Sequence, residues 1–171
     1  MSFRPPASEY APFYSNYIQK VPNGDFLIQL ATTLVELSRL LEHIPEGKWD
    51  YRYEQGKWTI KELVLHIIDT ERVMAFRALW IARNGQAPLP GFDQDNFVAN
   101  ANANRRTKAS LIKELKSVRA ATISLVADME EDDLLKMGIA SDNDISVRAL
   151  VYIILGHQIH HAEVLKEKYL S

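Results

Sequence analysis

The sequence contains no cysteine. This absence excludes disulfide bonds, thiolate nucleophiles and cysteine-ligated zinc, whatever the compartment. An excess of charge of one sign is also missing, because 20 Lys and Arg residues nearly balance 22 Asp and Glu residues. Nucleic-acid-binding proteins generally show a marked basic excess or a basic stripe, so we expect no nucleic-acid partner.

Long hydrophobic runs are absent as well. The longest strongly apolar stretch, residues 149–155, is far shorter than the ~20 residues that a membrane-spanning helix needs. The N-terminal residues lack the basic-then-apolar pattern of a secretory signal. We therefore expect a protein that does not enter a membrane and that is located in the cytoplasm.

The composition is that of an ordinary globular protein, with 47% hydrophobic and 25% charged residues in a chain of 171. This length fits one domain and can bury a core without covalent staples, so we predict a single domain over residues 1–171. Residues 1–24 are rich in proline and tyrosine. Because proline interrupts helices and strands alike, we predict that they form an arm packed on the rest of the domain, with at most short helical turns.

Beyond the arm, apolar residues recur at helical spacing in four segments, and we see no convincing pair of strands. Thr59 and Glu62 form a capping box at the start of the second segment. The stretch between the second and third segments, residues 86–106, is long enough to be a partly helical crossover. The sequence thus predicts an all-α four-helix bundle with a long crossover between helices 2 and 3. The predicted helices run from Phe26 to about His43, from Thr59 to about Ala82, from Thr107 through Leu125, and from Ser146 to Tyr169.

Histidine is the residue type that points to chemistry. His157 and His161 are four residues apart, which places both rings on one face of the last helix, together with apolar residues such as Ile153. His66 lies on the apolar side of the second helix. An inward imidazole needs partners for its ring nitrogens, and a divalent metal would satisfy one nitrogen on each of three rings. The pattern makes His66, His157 and His161 candidate ligands of one metal ion.

The spacing alone leaves a second interpretation open, since a single histidine on an apolar helix face is more often a hydrogen-bonded core residue than a metal ligand. The remaining two histidines have weaker claims. His43 ends the first helix, where an imidazolium can interact with the helix C-terminus, and we interpret it as structural. His160 lies at the edge of the inward face and is expected to be an outer hydrogen-bond donor or a rim residue.

Two further polar residues on the inward side of the second helix are candidates for a role in the site. Asp69 follows His66 by three residues and could accept its ring N–H, the alternative being a solvated carboxylate at the rim. Arg77 could bind an anionic group of the substrate near the cavity. Its alternative is a side chain that reaches a bundle end or pairs with a carboxylate.

The reverse side of the last helix is also apolar and needs a second burial partner. Either the N-terminal arm or another subunit could cover it, and the second possibility leads us to predict a homodimer. The residues of this reverse stripe are Tyr152, Leu155, Ile159 and Ala162.

Several motifs resemble those of the DinB-like family of metal-binding four-helix bundles, which includes proteins similar to YfiT. The resemblance covers nearly the whole chain. Its strongest elements are Gly56-Lys57-Trp58-Thr59-Ile60-Lys61-Glu62, His66-Ile67-Ile68-Asp69-Thr70-Glu71-Arg72, Leu89-Pro90-Gly91-Phe92-Asp93-Gln94-Asp95, Ser146-Val147-Arg148-Ala149-Leu150 and Gly156-His157-Gln158-Ile159-His160-His161.

The resemblance implies a divalent metal, zinc or nickel, bound by one histidine of the second helix and two of the last, which here are His66, His157 and His161. It also implies a small-molecule substrate. Some family members are thiol S-transferases that use bacillithiol, mycothiol or glutathione, and others are described as metal-dependent hydrolases.

Two functional hypotheses follow. In the first, the protein is a metal-dependent enzyme in which water or a thiol cosubstrate is activated, because three protein ligands leave a position open at the ion. In the second, it is a non-catalytic, metal-stabilised bundle that binds a ligand or a partner protein. A ferritin-like di-iron bundle is disfavoured, since the Glu-x-x-His repeats that it requires are missing from the sequence.

Overall fold

The computed structural model describes residues 4–171, which form seven α-helices and one β-hairpin. Short 3-10 turns at Ala7–Glu9, Pro12–Tyr14, Glu46–Lys48 and Ala103–Arg105 separate the longer elements, and a π-helical turn at Leu165–Tyr169 ends the chain. The elements are α1 Ser15–Lys20, α2 Phe26–His43, α3 Ile60–Ala82, α4 Gln94–Asn100, α5 Lys108–Ala127, α6 Glu131–Leu135, β1 Met137–Ala140, β2 Asn143–Ser146 and α7 Val147–Val164.

The four long helices form the predicted bundle. Helices α5 and α7 each pack against both α2 and α3, so the order around the bundle is α2, α5, α3, α7. The crossover between α3 and α5 contains α4 and a 3-10 turn, as expected. Side chains cap the helices: Thr59 and Glu62 complete the capping box of α3, and Asp25, Thr107 and Ser146 cap α2, α5 and α7. No helix within residues 4–171 is both long and apolar enough to span a membrane.

The prediction that no strands pair was wrong. Strands β1 and β2 form an antiparallel hairpin with Met137 opposite Ser146 and Ala140 opposite Asn143. Ser141 and Asp142 make the turn with φ of 53° and 60°, which matches a two-residue hairpin turn with two left-handed residues. Ser-Asp is a weak signal for that turn compared with Asn-Gly, and four-residue strands are too short to show alternation.

One buried polar network joins all four long helices. Arg119 of α5 is fully buried, and its Nε and Nη2 donate to Glu71 of α3 at 2.7 and 2.9 Å. Its Nη1 donates to the Leu30 carbonyl of α2 (3.0 Å), and its Nη2 also donates to the Gln158 side chain of α7 (2.5 Å). Gln158 in turn donates to the Thr33 carbonyl of α2 at 2.7 Å. The charge is thus neutralised, and the network fixes the relative positions of the four helices.

The arm covers the reverse side of α7. In its described part, residues 4–24, Ile18 and Val21 belong to a core cluster that also contains Tyr152 and Leu155. The part of the prediction that concerns residues 1–3 lies outside the described residues. Farther along α7, Ile159 and Ala162 line a cleft shared with α2 residues. The arm and α2 therefore account for the second apolar stripe, and a second subunit is not needed to explain it.

Close packing between the arm and α7 requires Gly156. A Cβ atom at this position would lie 1.9 Å from the Tyr17 carbonyl oxygen, which is backbone and cannot rotate away. We expect Gly156→Ala to push α1 off α7 and to lower the free energy of unfolding by about 2–3 kcal/mol. Urea unfolding followed by circular dichroism measures this change.

Gly47→Ala is the matched control, because a Cβ atom at Gly47 meets nothing within 4 Å. This variant should unfold close to the wild-type midpoint. Equal midpoints for the two alanine variants would show that the arm does not pack on α7 as described.

Candidate metal centre

The three histidines predicted as metal ligands come together between α3 and α7. The Nε2 atom of His157 lies 2.9 Å from Nε2 of His66 and 3.1 Å from Nε2 of His161. One nitrogen from each ring falls within 4.8 Å of the other two. His66 and His157 are buried, and His161 is partly exposed. The two helices that share this cluster also form an extensive interface, so the rings sit on rigid elements.

Burial keeps all three imidazoles uncharged. It lowers the pKa of His66 to about 4 and that of His161 to about 3. Burial, with the neighbouring histidines, also holds the pKa of His157 well below its usual value of 6.5. At neutral pH each ring is therefore neutral, with one nitrogen carrying a lone pair that can be donated.

The geometry of the cluster fits a shared cation better than hydrogen bonds alone. A ring nitrogen of neutral imidazole either donates one proton or accepts one, so Nε2 of His157 cannot make good hydrogen bonds to both neighbours at once. A divalent ion bound at 2.0–2.1 Å in tetrahedral geometry has ligand nitrogens about 3.3 Å apart. The 2.9 and 3.1 Å separations are near that value, and the nitrogens of His66 and His161 lie within 4.8 Å of each other. Neutral nitrogen donors are also the type that zinc and nickel accept.

Aromatic rings hold the cluster on both sides. Trp58 lies 4.7 Å from His66, and Tyr17 of the arm approaches His157 edge-on at 5.4 Å, measured between ring centroids. The Tyr169 hydroxyl donates to the Trp58 carbonyl at 2.7 Å, which connects the C-terminal turn to the site. Nδ1 of His161 is buried without a hydrogen-bond partner in residues 4–171, so packing orients this ring.

The other histidines lie outside the cluster. His160 lies at the rim, edge-on to the rings of Tyr17 (5.5 Å) and His161 (5.0 Å), measured between ring centroids. Among the described residues, it makes no hydrogen bond to any of the three clustered rings. The Nδ1 atom of His43 lies 2.6 Å from the Arg39 carbonyl oxygen at the exposed end of α2, as a structural role implies.

The two candidate polar residues of α3 are placed differently from each other. Asp69 makes no hydrogen bond to His66 among residues 4–171; its carboxylate lies 3.6 Å from Arg72 at the rim, and burial raises its pKa. The expected contact with His66 is therefore not formed. Arg77 is buried, and its Nη2 donates to the Pro90 carbonyl (2.7 Å) and to the Ser141 hydroxyl (3.1 Å).

Two cavities of about 350 Å³ each adjoin the cluster. The first, which we call the His157 cavity, is largely aromatic. It is lined by Phe13, Tyr14, Tyr17, Thr70, Met74, Gly91, Phe92, Gln94, Ser141, Ile153 and His157. The second, the His161 cavity, carries more polar groups. It is lined by Tyr53, Gly56, Lys57, Trp58, Leu63, Asp95, His160, His161, Val164 and Tyr169.

Sequence reasoning missed most of these cavity residues. Tyr14 and Tyr17 belong to the arm, and Ser141 lies in the unpredicted hairpin turn. The Pro- and Gly-containing motif at residues 89–95 was the one available signal, because it also resembled the family. Residues 91, 92 and 94 line the His157 cavity, and residue 95 lines the His161 cavity.

Residues 29–165 match the sequence profile of the DinB superfamily. The chain belongs to this superfamily. The resemblance inferred from the sequence motifs is thereby confirmed. A relative from Oceanobacillus iheyensis, OB0413, named as a candidate metal-dependent hydrolase, is 27% identical over 144 residues, which cover 83% of this chain and 82% of the relative.

Solved structures share the DinB-superfamily fold. YfiT from Bacillus subtilis, described as a probable metal-dependent hydrolase with an unusual four-helix bundle topology, gives a TM-score of 0.71 over 96% of both chains at 14% identity. The DinB-like protein YjoA from Bacillus subtilis gives 0.60 at 20% identity, over 84% of this chain and 87% of YjoA.

A mycothiol-dependent maleylpyruvate isomerase gives a TM-score of 0.65 at 12% identity, over 80% of this chain and 58% of the isomerase. These likenesses establish the four-helix fold. The three clustered histidines of this DinB-superfamily protein form a group that could hold one metal ion.

Proposed function

We propose that this protein is a metal-dependent enzyme that transfers a low-molecular-weight thiol to a small electrophilic substrate. In this reaction the sulfur forms a bond to an electrophilic carbon, the thiol proton passes to water, and the leaving group of that carbon, a halide in the assay below, departs with its bonding electrons. His66, His157 and His161 would bind one divalent ion, zinc or nickel. The observation that carries the proposal is the convergence of three neutral, largely buried imidazoles between two separate cavities. Three protein ligands leave coordination positions open, as catalytic metal sites require.

A divalent ion held there would act as a Lewis acid that makes a thiol or a water molecule more acidic. The protein supplies orientation and a shielded environment. Trp58 and Tyr17 pack against the rings of His66 and His157 and cover one side of each ring. Because all three ligands are neutral, none of them offsets the charge of the ion, which favours binding of an anionic sulfur.

Two cavities at one centre favour a reaction of two molecules. The His157 cavity reaches one ligand and the His161 cavity reaches another. We assign the thiol to the His161 cavity, because Lys57, Asp95 and His160 provide polar partners for a charged, peptide-like thiol. The aromatic His157 cavity would take the second substrate. A hydrolase, the alternative reaction, needs only one cavity besides a water molecule.

The non-catalytic alternative is a bundle in which the metal joins α3 to α7. Their extensive packing, together with the network around Arg119, already holds these helices together without an ion. We therefore expect metal removal to affect turnover more than stability.

The test combines bacillithiol, mycothiol or glutathione with an electrophilic acceptor such as a halogenated bimane, and follows thiol consumption. We expect turnover with at least one thiol in the metal-loaded protein, loss of turnover after chelation, and recovery when zinc or nickel is restored. The melting temperature should change little between the loaded and chelated forms.

His43→Ala is the matched control, because its ring lies at the exposed end of α2 and should leave turnover unchanged. Ester cleavage without any thiol would favour a hydrolase instead. A large loss of stability on chelation, with no turnover in either assay, would favour the metal-stabilised module.

A further inference from the structure

We propose that the far end of the His157 cavity binds a carboxylate of the substrate, and that Arg77 is the residue that recognises it. This inference takes the type of reaction from the proposed function. The existence of the subsite does not depend on that function. It makes the substrate a small carboxylate with an apolar body and a reactive atom distant from the charge.

Arg77 is a buried cation without a counter-ion. Its two terminal nitrogens donate to the Pro90 carbonyl, to the Ser141 hydroxyl and, more weakly, to the sulfur of Met74 at 3.7 Å, and its side chain also hydrogen-bonds to the uncharged Tyr14 hydroxyl. No carboxylate lies within 4.0 Å of it in residues 4–171. A guanidinium stays protonated in proteins, and an unpaired buried charge is costly. A bound anion would remove that cost.

The other buried arginine shows what a structural role looks like. Arg119 is also inaccessible to solvent, but it is paired with Glu71 at 2.7 and 2.9 Å and hydrogen-bonded to two further helices. The bundle thus neutralises one buried arginine and leaves the other unpaired beside a cavity. That difference points to a ligand for Arg77.

The unpaired arginine is directed at the cavity wall. Three residues that line the His157 cavity contact it: the Ser141 hydroxyl accepts from it at 3.1 Å, the Phe92 ring lies 6.0 Å from the guanidinium carbon, and Met74 borders it. Tyr14 is a fourth lining residue. Burial raises the pKa of its hydroxyl, and the charge of Arg77 opposes that rise. An anion in this part of the cavity would lie beside the Ser141 and Tyr14 hydroxyl groups, with the guanidinium next to both of them.

The cavity wall runs along one face of α3. His66, Thr70, Met74 and Arg77 follow each other at spacings of four, four and three residues, which is one helix face. At 1.5 Å per residue, the Cα atoms of the first and last are about 16 Å apart. Along this face of α3, the metal ligand His66 and Arg77 therefore lie on either side of Thr70 and Met74, the two α3 residues that line the cavity.

Thr70 provides a second, independent sign of a ligand. Its hydroxyl is buried, lines the cavity and has no hydrogen-bond partner in residues 4–171. A buried hydroxyl without a partner is unusual in native proteins and needs an explanation. A polar atom of the substrate, between the carboxylate and the reactive end, would satisfy it.

The test measures binding of 3-benzoylpropionate and its uncharged amide by isothermal titration calorimetry, with the protein as purified and after chelation. Both probes carry a keto oxygen between the charged or amide end and the phenyl ring, where it can accept from the Thr70 hydroxyl. We expect the carboxylate to bind at least tenfold more tightly than the amide in both forms. Arg77→Met should lose this preference while keeping its metal content. Thr70→Val, which replaces the hydroxyl with a methyl group of similar size, should weaken binding of both probes by severalfold.

Four outcomes would overturn the subsite. A preference that survives Arg77→Met, or one that disappears on chelation, would place the carboxylate on the metal. Equal binding of the carboxylate and the amide by the wild-type protein would also overturn it. If Arg77→Met does not fold, unchanged binding of both probes by Thr70→Val would overturn it. A protein that lacks metal but keeps the Arg77-dependent preference would contradict the proposed function and leave the subsite intact.

Discussion

Changing His157 to alanine is expected to reduce bound divalent metal from about one ion per chain to less than a tenth of that. His157 is the central ligand, because its Nε2 lies within 3.1 Å of the Nε2 atoms of both other histidines. Removing it leaves two imidazoles on different helices. The loss of affinity should exceed the 10–100-fold typical for residues that only support a ligand.

The measurement is elemental analysis of purified protein after gel filtration, with zinc and nickel supplied during expression. His160→Ala is the closest control, since His160 is on the same helix and touches His161, but its ring lies outside the cluster. It should retain wild-type metal. Wild-type metal content in folded His157→Ala protein would contradict the assignment of all three ligands.

The convergence of the three histidines was predictable because helix periodicity is strong in this chain. His66 shares its face of α3 with buried apolar residues, and the four-residue spacing of His157 and His161 fixes their relation on α7. The helix starts were also predictable, since Asp25, Thr59, Thr107 and Ser146 all cap the helices that they precede. Local chemistry sufficed for both.

The cavities were not predictable, because they depend on contacts between distant segments. Tyr14 and Tyr17 reach α7 only because Gly156 lets the arm approach, and no pattern in the arm signals this. Ser141 meets Arg77 across 64 residues through a turn with a weak sequence signal. Periodicity placed Arg77 on the correct side of α3 but could not show whether a carboxylate lay opposite it.

Replacing Glu71 with glutamine is expected to lower the free energy of unfolding by about 3–5 kcal/mol. The side chains of Glu71 and Arg119 are 2% and 0% exposed, so water cannot take over the role of the lost charge. The shape of the side chain is nearly unchanged in this variant. The destabilisation would therefore come from the uncompensated guanidinium and not from a cavity.

Urea unfolding of four variants, the single variants Glu71→Gln and Arg119→Met, their double variant and Lys116→Ala, separates this effect from packing. In Glu71→Gln with Arg119→Met, both charges are absent, and we expect more than half of the lost stability to return, because the cost lies in leaving one charge alone. Lys116→Ala breaks the exposed pair with Glu42 and should leave the unfolding midpoint near that of the wild type. The destabilisation of the double variant could instead equal the sum of the destabilisations of the two single variants. In that case Arg119 would act through packing and its hydrogen bonds to Leu30 and Gln158, and charge pairing would not be what holds the four helices in register.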